Sequence, residues 1–112
     1  MDKNTRCLRL LVAYDGTDFA GWQIQPGKRT VQGELQASLG ALGDPKAVCL
    51  ASGRTDAGVH AQGQVVGLKT ILDLPLFRLK RAIQARLPGD IVVRSVAEAP
   101  SDFDPTRQAI AK

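Results

Sequence analysis

Ala47-Val48-Cys49-Leu50-Ala51 and Gln64-Val65-Val66-Gly67-Leu68-Lys69-Thr70 are two strand-like runs, and between them lies Ser52-Gly53-Arg54-Thr55-Asp56-Ala57-Gly58-Val59-His60-Ala61. Both runs are rich in β-branched and aliphatic residues, and the segment joining them reads as a loop with two glycines. Two strands in direct succession stand at the centre of the chain, and a helical pattern stands on either side. Upstream, Val31, Leu35, Leu39 and Leu42 recur at helical spacing, with Thr30 placed to cap and Gly43-Asp44-Pro45 placed to stop. Further upstream, Leu8 to Tyr14 reads as a strand whose only charge is Arg9, followed by the turn Asp15-Gly16-Thr17-Asp18 and a loop from Phe19 to Lys28. Downstream, Pro75 suits the first turn of a second helix striped by Leu76, Leu79, Ile83 and Leu87. Pro88-Gly89 ends that helix, Ile91 to Val96 is a last strand, and the tail from Glu98 to Lys112 has no clear period. The order β-α-β-β-α-β predicts an α+β, ferredoxin-like fold: an antiparallel sheet with two helices on one face and the first and third strands as its central pair. The loop between strands two and three then puts Asp56 at one end of the sheet.

At 112 residues the chain fits a single domain, 1–112, able to bury its own core. No apolar run approaches the roughly 18 residues of a spanning helix, so no membrane partner is expected. The first residues, Met1-Asp2-Lys3-Asn4-Thr5-Arg6, lack the apolar region of a signal peptide. Two cysteines are too few for a disulfide scaffold, and a reduced, cytoplasmic protein is the expectation. The formal charge of +4 is compatible with a nucleic-acid partner without requiring one. Lys80 and Arg81 read as the solvated face of a helix, whereas Lys28 and Arg29 lie in a Pro/Gly loop where phosphate contacts are expected. One histidine and two distant cysteines give no obvious ligand set, so no metal is expected.

Asp56 lies two residues after Arg54 and between Gly53 and Gly58. A nearby guanidinium keeps a carboxylate charged, and a charged carboxylate held on a turn can act as nucleophile, base or ion-pair anchor. Asp beside Gly more often makes only local turn hydrogen bonds. Arg54 can equally be a solvated surface charge, and His60 a satisfied structural group.

Four stretches resemble, in order, the TruA family of bacterial tRNA pseudouridine synthases. They are Ala13-Tyr14-Asp15-Gly16-Thr17-Asp18-Phe19-Ala20-Gly21-Trp22-Gln23, Arg29-Thr30-Val31-Gln32-Gly33-Glu34-Leu35, the ten residues Ser52 to Ala61, and Leu87-Pro88-Gly89-Asp90-Ile91. The resemblance implies a cofactor-free isomerase that converts uridine to pseudouridine at positions 38–40 of the tRNA anticodon stem-loop. It implies Asp56 as the essential carboxylate and Arg54 as a residue beside it and the flipped nucleotide. It leaves open whether such an aspartate attacks C1′ or first removes a ribose proton. The target base must leave its stack, and basic groups can offset that cost. Lys28, Arg29, Gln23 and His60 are the candidate RNA-binding residues. Tyr14 and Trp22 could stack on bases, with a core or loop-packing role at least as well suited to them.

Members of the family are about twice as long, work as homodimers, and build the active site between two related halves. The resemblance thus marks the chain as an N-terminal domain carrying the carboxylate without the whole site, with little activity expected alone. Thr106 stands where the family often has arginine. Two rival readings are a non-catalytic RNA-binding ferredoxin-like module and a ferredoxin-like small-molecule or protein-interaction domain. The intact Gly53-Arg54-Thr55-Asp56 stretch argues against both.

Overall fold

A computed structural model describes residues 5–51, 58 and 60–100. The elements are β1 (Arg6–Tyr14), a 3₁₀ turn (Gly16–Asp18), α1 (Val31–Ala41), β2 (Val48–Ala51), β3 (Ala61–Thr70), α2 (Leu76–Ala85) and β4 (Ile91–Glu98). They form one four-stranded sheet in the order β2-β3-β1-β4, and every pairing is antiparallel. β1 and β3 are the central pair, as the element order predicts, and both helices pack on one face.

Period-two alternation decides which face is covered. Leu8, Leu10, Val12 and Tyr14 of β1 are buried under the helices, while Arg9 between them is exposed. Val66 and Leu68 of β3 stand opposite Leu10 and Leu8 and extend the same layer. Leu35 and Leu39 of α1 and Leu79 and Ile83 of α2 close the core from above. Each such side chain, fully removed from water, contributes about 1.5–3 kcal/mol. Ser38 lets the helices approach, and its hydroxyl donates to the Ile83 carbonyl at 2.9 Å.

Local chemistry sets the element ends. Thr30 caps α1 by accepting from the Gly33 N–H at 3.2 Å. A Cβ at Gly33 would lie 2.9 Å from that capping oxygen, so the cap and a larger residue compete for the same space. Gly43, at φ +111°, turns the chain out of α1, where Asp44 is buried and accepts from the Thr70 hydroxyl and the Ile71 N–H. α2 ends at Ala85, three residues before Pro88, and Leu87 still packs half-buried against the core. The outer edge of β4 is closed by Gln84, which donates to the Ile91 carbonyl and accepts from the Val93 N–H.

Two irregularities interrupt the sheet beside β1. Between Val12 and Tyr14 the β3 register shifts by one, so that Gln62 and Gly63 together oppose Ala13. Between Leu11 and Val12 the β4 register shifts as well, leaving Arg94 as the extra residue. Both are β-bulges, a feature that bends a strand and re-aims side chains.

Candidate functional site

The bulges lie at the end of the sheet where β1 leaves and β3 and β4 begin. There the chain forms an open cleft of about 490 Å³. It is lined by the end of β1 and its turn (Ala13, Tyr14, Asp15), the start of β3 (His60, Ala61, Gln62), the turn before β4 (Gly89, Asp90) and β4 itself (Val92, Arg94). Asp56 and Arg54 lie outside the described residues, so the expectation that Asp56 stands at this end of the sheet does too. The described residues nearest that segment are Ala51, which ends β2, and Gly58. Gly58 has φ +80°, and its N–H donates to the Phe19 carbonyl at 3.2 Å. That bond joins the loop before β3 to the turn after β1.

His60 makes the second such link. Its Nδ1 lies 2.9 Å from the Gly16 nitrogen and 3.1 Å from Asp15 Oδ1. The two contacts ask opposite things of one atom. A backbone N–H can only donate, so Nδ1 offers its lone pair to Gly16 and the ring proton sits on Nε2. His60 therefore holds the turn after β1, and Nε2–H is its outward donor. The Asp15 carboxylate accepts from the Thr17 hydroxyl and N–H, which hold its pKa below the ordinary value.

The loop between the 3₁₀ turn and α1 carries three of the candidate residues. The Ala20 N–H donates to the Arg29 carbonyl at 2.7 Å and closes the loop at its neck. At its tip the Lys28 N–H reaches the Gln25 carbonyl across Pro26 and Gly27, and the φ of +70° at Gly27 suits a type II turn. Gln23 and Lys28 are exposed on this loop. Arg29 is held differently. Its fork meets both oxygens of Asp90 at 3.1 Å, its Nε stands 3.4 Å from Glu34, and its guanidinium lies 4.1 Å above the Phe19 ring. Arg29 thus fastens the loop to the turn before β4. Trp22 and Tyr14 are buried in the core, and Tyr14 meets Phe19 edge to face at 6.5 Å, which confirms their packing role.

Two residues that order this region escape the sequence reading. Gln32, almost fully buried on α1, accepts from the Ile24 N–H at 3.0 Å and donates to the Cys49 carbonyl at 2.7 Å. One amide thereby ties the Gln23–Lys28 loop to β2. Arg94 donates from Nη1 to the Gln62 carbonyl at 3.2 Å. The signal for Arg94 was a failed alternation: Arg94-Ser95 places two polar residues in succession inside a strand, which is how a bulge reads. No signal in the sequence alone gives Gln32 its two partners.

Among the described residues, no group of three His, Cys, Asp or Glu side chains could hold a metal ion. Nor is any described helix long and apolar enough to cross a membrane.

A family model of tRNA pseudouridine synthases matches residues 10–106. The chain is 52% identical over 109 residues to tRNA pseudouridine synthase A of Geobacillus kaustophilus, covering 96% of this chain and 42% of that protein. It is 47% identical over 107 residues to tRNA pseudouridine synthase A of Citrifermentans bemidjiense, covering 96% and 43%. With the Brevibacillus brevis protein of the same name it shares 45% over 96 residues, covering 86% and 39%. The chain spans about two fifths of the length of the curated relatives it matches. With a match across most of its length and half its residues identical to a relative, the chain belongs to the TruA family of bacterial tRNA pseudouridine synthases, of which it carries an N-terminal portion.

Proposed function

We propose that this chain supplies the carboxylate-bearing part of an isomerase that turns uridine into pseudouridine at positions 38–40 of the tRNA anticodon stem-loop. The observation that carries the reading is the Gly53-Arg54-Thr55-Asp56 stretch in a chain half identical to tRNA pseudouridine synthase A. Its neighbour His60 lines a cleft that gathers the starts of β3 and β4 and is bonded to Gly16, and Gly58 is bonded to Phe19 in the turn beside it. In the reaction the N1–C1′ bond of uridine breaks, the uracil turns, and C5 bonds to C1′. C5 gives up its proton and N1 takes one up. No electrons are gained or lost overall, so the chemistry calls for no redox cofactor. Cleavage builds positive character at the sugar, and Asp56 either stabilises or traps it. Arg54 keeps Asp56 ionised and meets the flipped nucleotide.

Lys28 and Gln23, exposed on one loop, and the outward Nε2–H of His60, without a partner among the described residues, are the proposed contacts to the RNA strand. Arg29 serves the same surface by holding that loop against Asp90, and its exposed edge is the remaining basic group beside Lys28. The partner is the anticodon arm, and the working form is a homodimer that includes the remainder of the protein.

The test is pseudouridine formation in an unmodified tRNA transcript. The chain alone is expected to give little product. Fused to the remaining part of the Geobacillus kaustophilus relative, it is expected to give product in the anticodon arm, and Asp56→Asn is expected to abolish it. Full turnover by the Asp56→Asn fusion would overturn the assignment.

A further inference from the structure

We infer that Arg94 is an RNA-phosphate anchor on the floor of the cleft, held there by the Gln62 carbonyl at the β3 bulge. This rests on the reading of the cleft as the RNA site. Without the bulge, strict alternation after Val93 would send Ser95 to the helix face; with it, Ser95 pairs with Leu11 on the open face and Arg94 becomes the unpaired residue. The β3 bulge on the other side of β1 leaves the Gln62 carbonyl facing the same space, and Arg94 Nη1 donates to it at 3.2 Å. The guanidinium therefore spans from one edge strand across β1 to β3. Ala13 of β1 lines the same cleft. One bond to a carbonyl fixes the fork and leaves its other N–H groups for a ligand.

The charges around it point to an anion. The two carboxylates that line the cleft are already engaged: Asp90 by the Arg29 fork, and Asp15 by Thr17 with His60 beside it. Among the described residues Arg94 has no carboxylate within ion-pair distance, although it is exposed. An anchored arginine with no carboxylate partner among the described residues, in an open cleft, suits one phosphate of an extended strand.

The experiment measures affinity of the chain for an unmodified anticodon stem-loop transcript by fluorescence anisotropy between 50 and 200 mM KCl. Arg94→Gln is expected to weaken binding about tenfold, the loss of one charge-assisted contact. It is also expected to lower the slope of log K against log salt by about one. Arg94→Lys is expected to keep the slope and lose part of the affinity, because an ammonium keeps the charge without the fork. Arg81→Gln, on the helical side, is the control and should leave both unchanged. Urea midpoints establish that each variant is folded. A wild-type slope in Arg94→Gln, or an equal loss in Arg81→Gln, overturns the assignment, as does failure of the wild-type chain to bind. Binding by the chain together with an inactive fusion would instead sink the proposed isomerase and leave the Arg94 contact standing.

Discussion

Gln32 offers the sharpest test of how the loop next to the cleft is held. Replacing it by Met keeps the length of the side chain and removes both amide hydrogen bonds. The Cys49 carbonyl loses a 2.7 Å partner in a buried setting, and the half-buried Ile24 N–H loses a 3.0 Å partner. A buried group left without its partner costs about 1–3 kcal/mol, and the second, less buried bond about 0.5–1.5 kcal/mol. The thioether's greater liking for the interior returns about 1 kcal/mol. The net expectation is a loss of about 2 kcal/mol, or roughly 10 °C in Tm for a domain of this size. Gln32→Glu separates the polar pattern from mere side-chain shape. Its carboxylate can accept from Ile24 but faces the Cys49 carbonyl with no proton to give. Burial and that carbonyl raise its pKa in the folded state above the unfolded value of about 4.3. Stability is therefore best below pH 4.3, where the protonated acid copies the amide, and is lost as pH rises through the raised value. Urea unfolding of the three proteins from pH 4 to pH 7.5 measures both effects. A Met variant within about 0.5 kcal/mol of wild type, or a Glu variant whose deficit does not change with pH, would refute the reasoning.

Two further outcomes follow from the same geometry. His60→Ala removes the acceptor of the Gly16 N–H and should cost about 1 kcal/mol in urea unfolding, while His60→Asn, which returns an acceptor oxygen near the Nδ1 position, should restore most of it; equal losses in the two variants would contradict the tautomer assigned to His60. Burial pushes the Cys49 thiol up to about 12, with the Asp44 charge adding to the rise, so it should resist iodoacetamide at pH 8 in the native chain and react in urea, read by mass spectrometry of the digest. Because folding holds that proton, the contribution of the neutral thiol is complete below pH 9.0 and falls away as pH climbs towards 12.

The fold was legible because its determinants are local and periodic. The alternation through Leu8, Leu10, Val12 and Tyr14 and the helical spacing of Leu76, Leu79 and Ile83 each name the buried face without knowledge of the partner. The strand between Ala61 and Gln64 was not legible, because Gln62 and Gly63 are polar or bare and pair only through the bulge opposite Ala13. The candidate site divides in the same way. Asp56 and Arg54 could be named from their own stretch, since their chemistry and their resemblance lie in adjacent residues. Arg29 could be named but not placed, because its pairing with Asp90 joins positions 61 residues apart. Arg94 and Gln32 could not be assigned a role at all. Their roles depend on carbonyls, Gln62 and Cys49, and a carbonyl is the same in every residue type.

That dependence explains how the cleft is built. Asp90 receives the Arg29 fork through its carboxylate and the Asp15 N–H through its carbonyl at 2.9 Å. One residue in the turn before β4 therefore fixes both the loop that carries Lys28 and the turn that carries Asp15. Gly58 to Phe19 and His60 to Gly16 fix the approach to β3 against that same turn. None of these bonds uses Asp56 or Arg54. Among the described residues, the rim is thus held by bonds that join Asp15, Gly16, Phe19, Arg29, Gly58, His60 and Asp90. The sheet divides the same way: the helices take the apolar face for stability, and on the other face the β3 bulge gives up regular pairing beside the Gln62 carbonyl that holds Arg94.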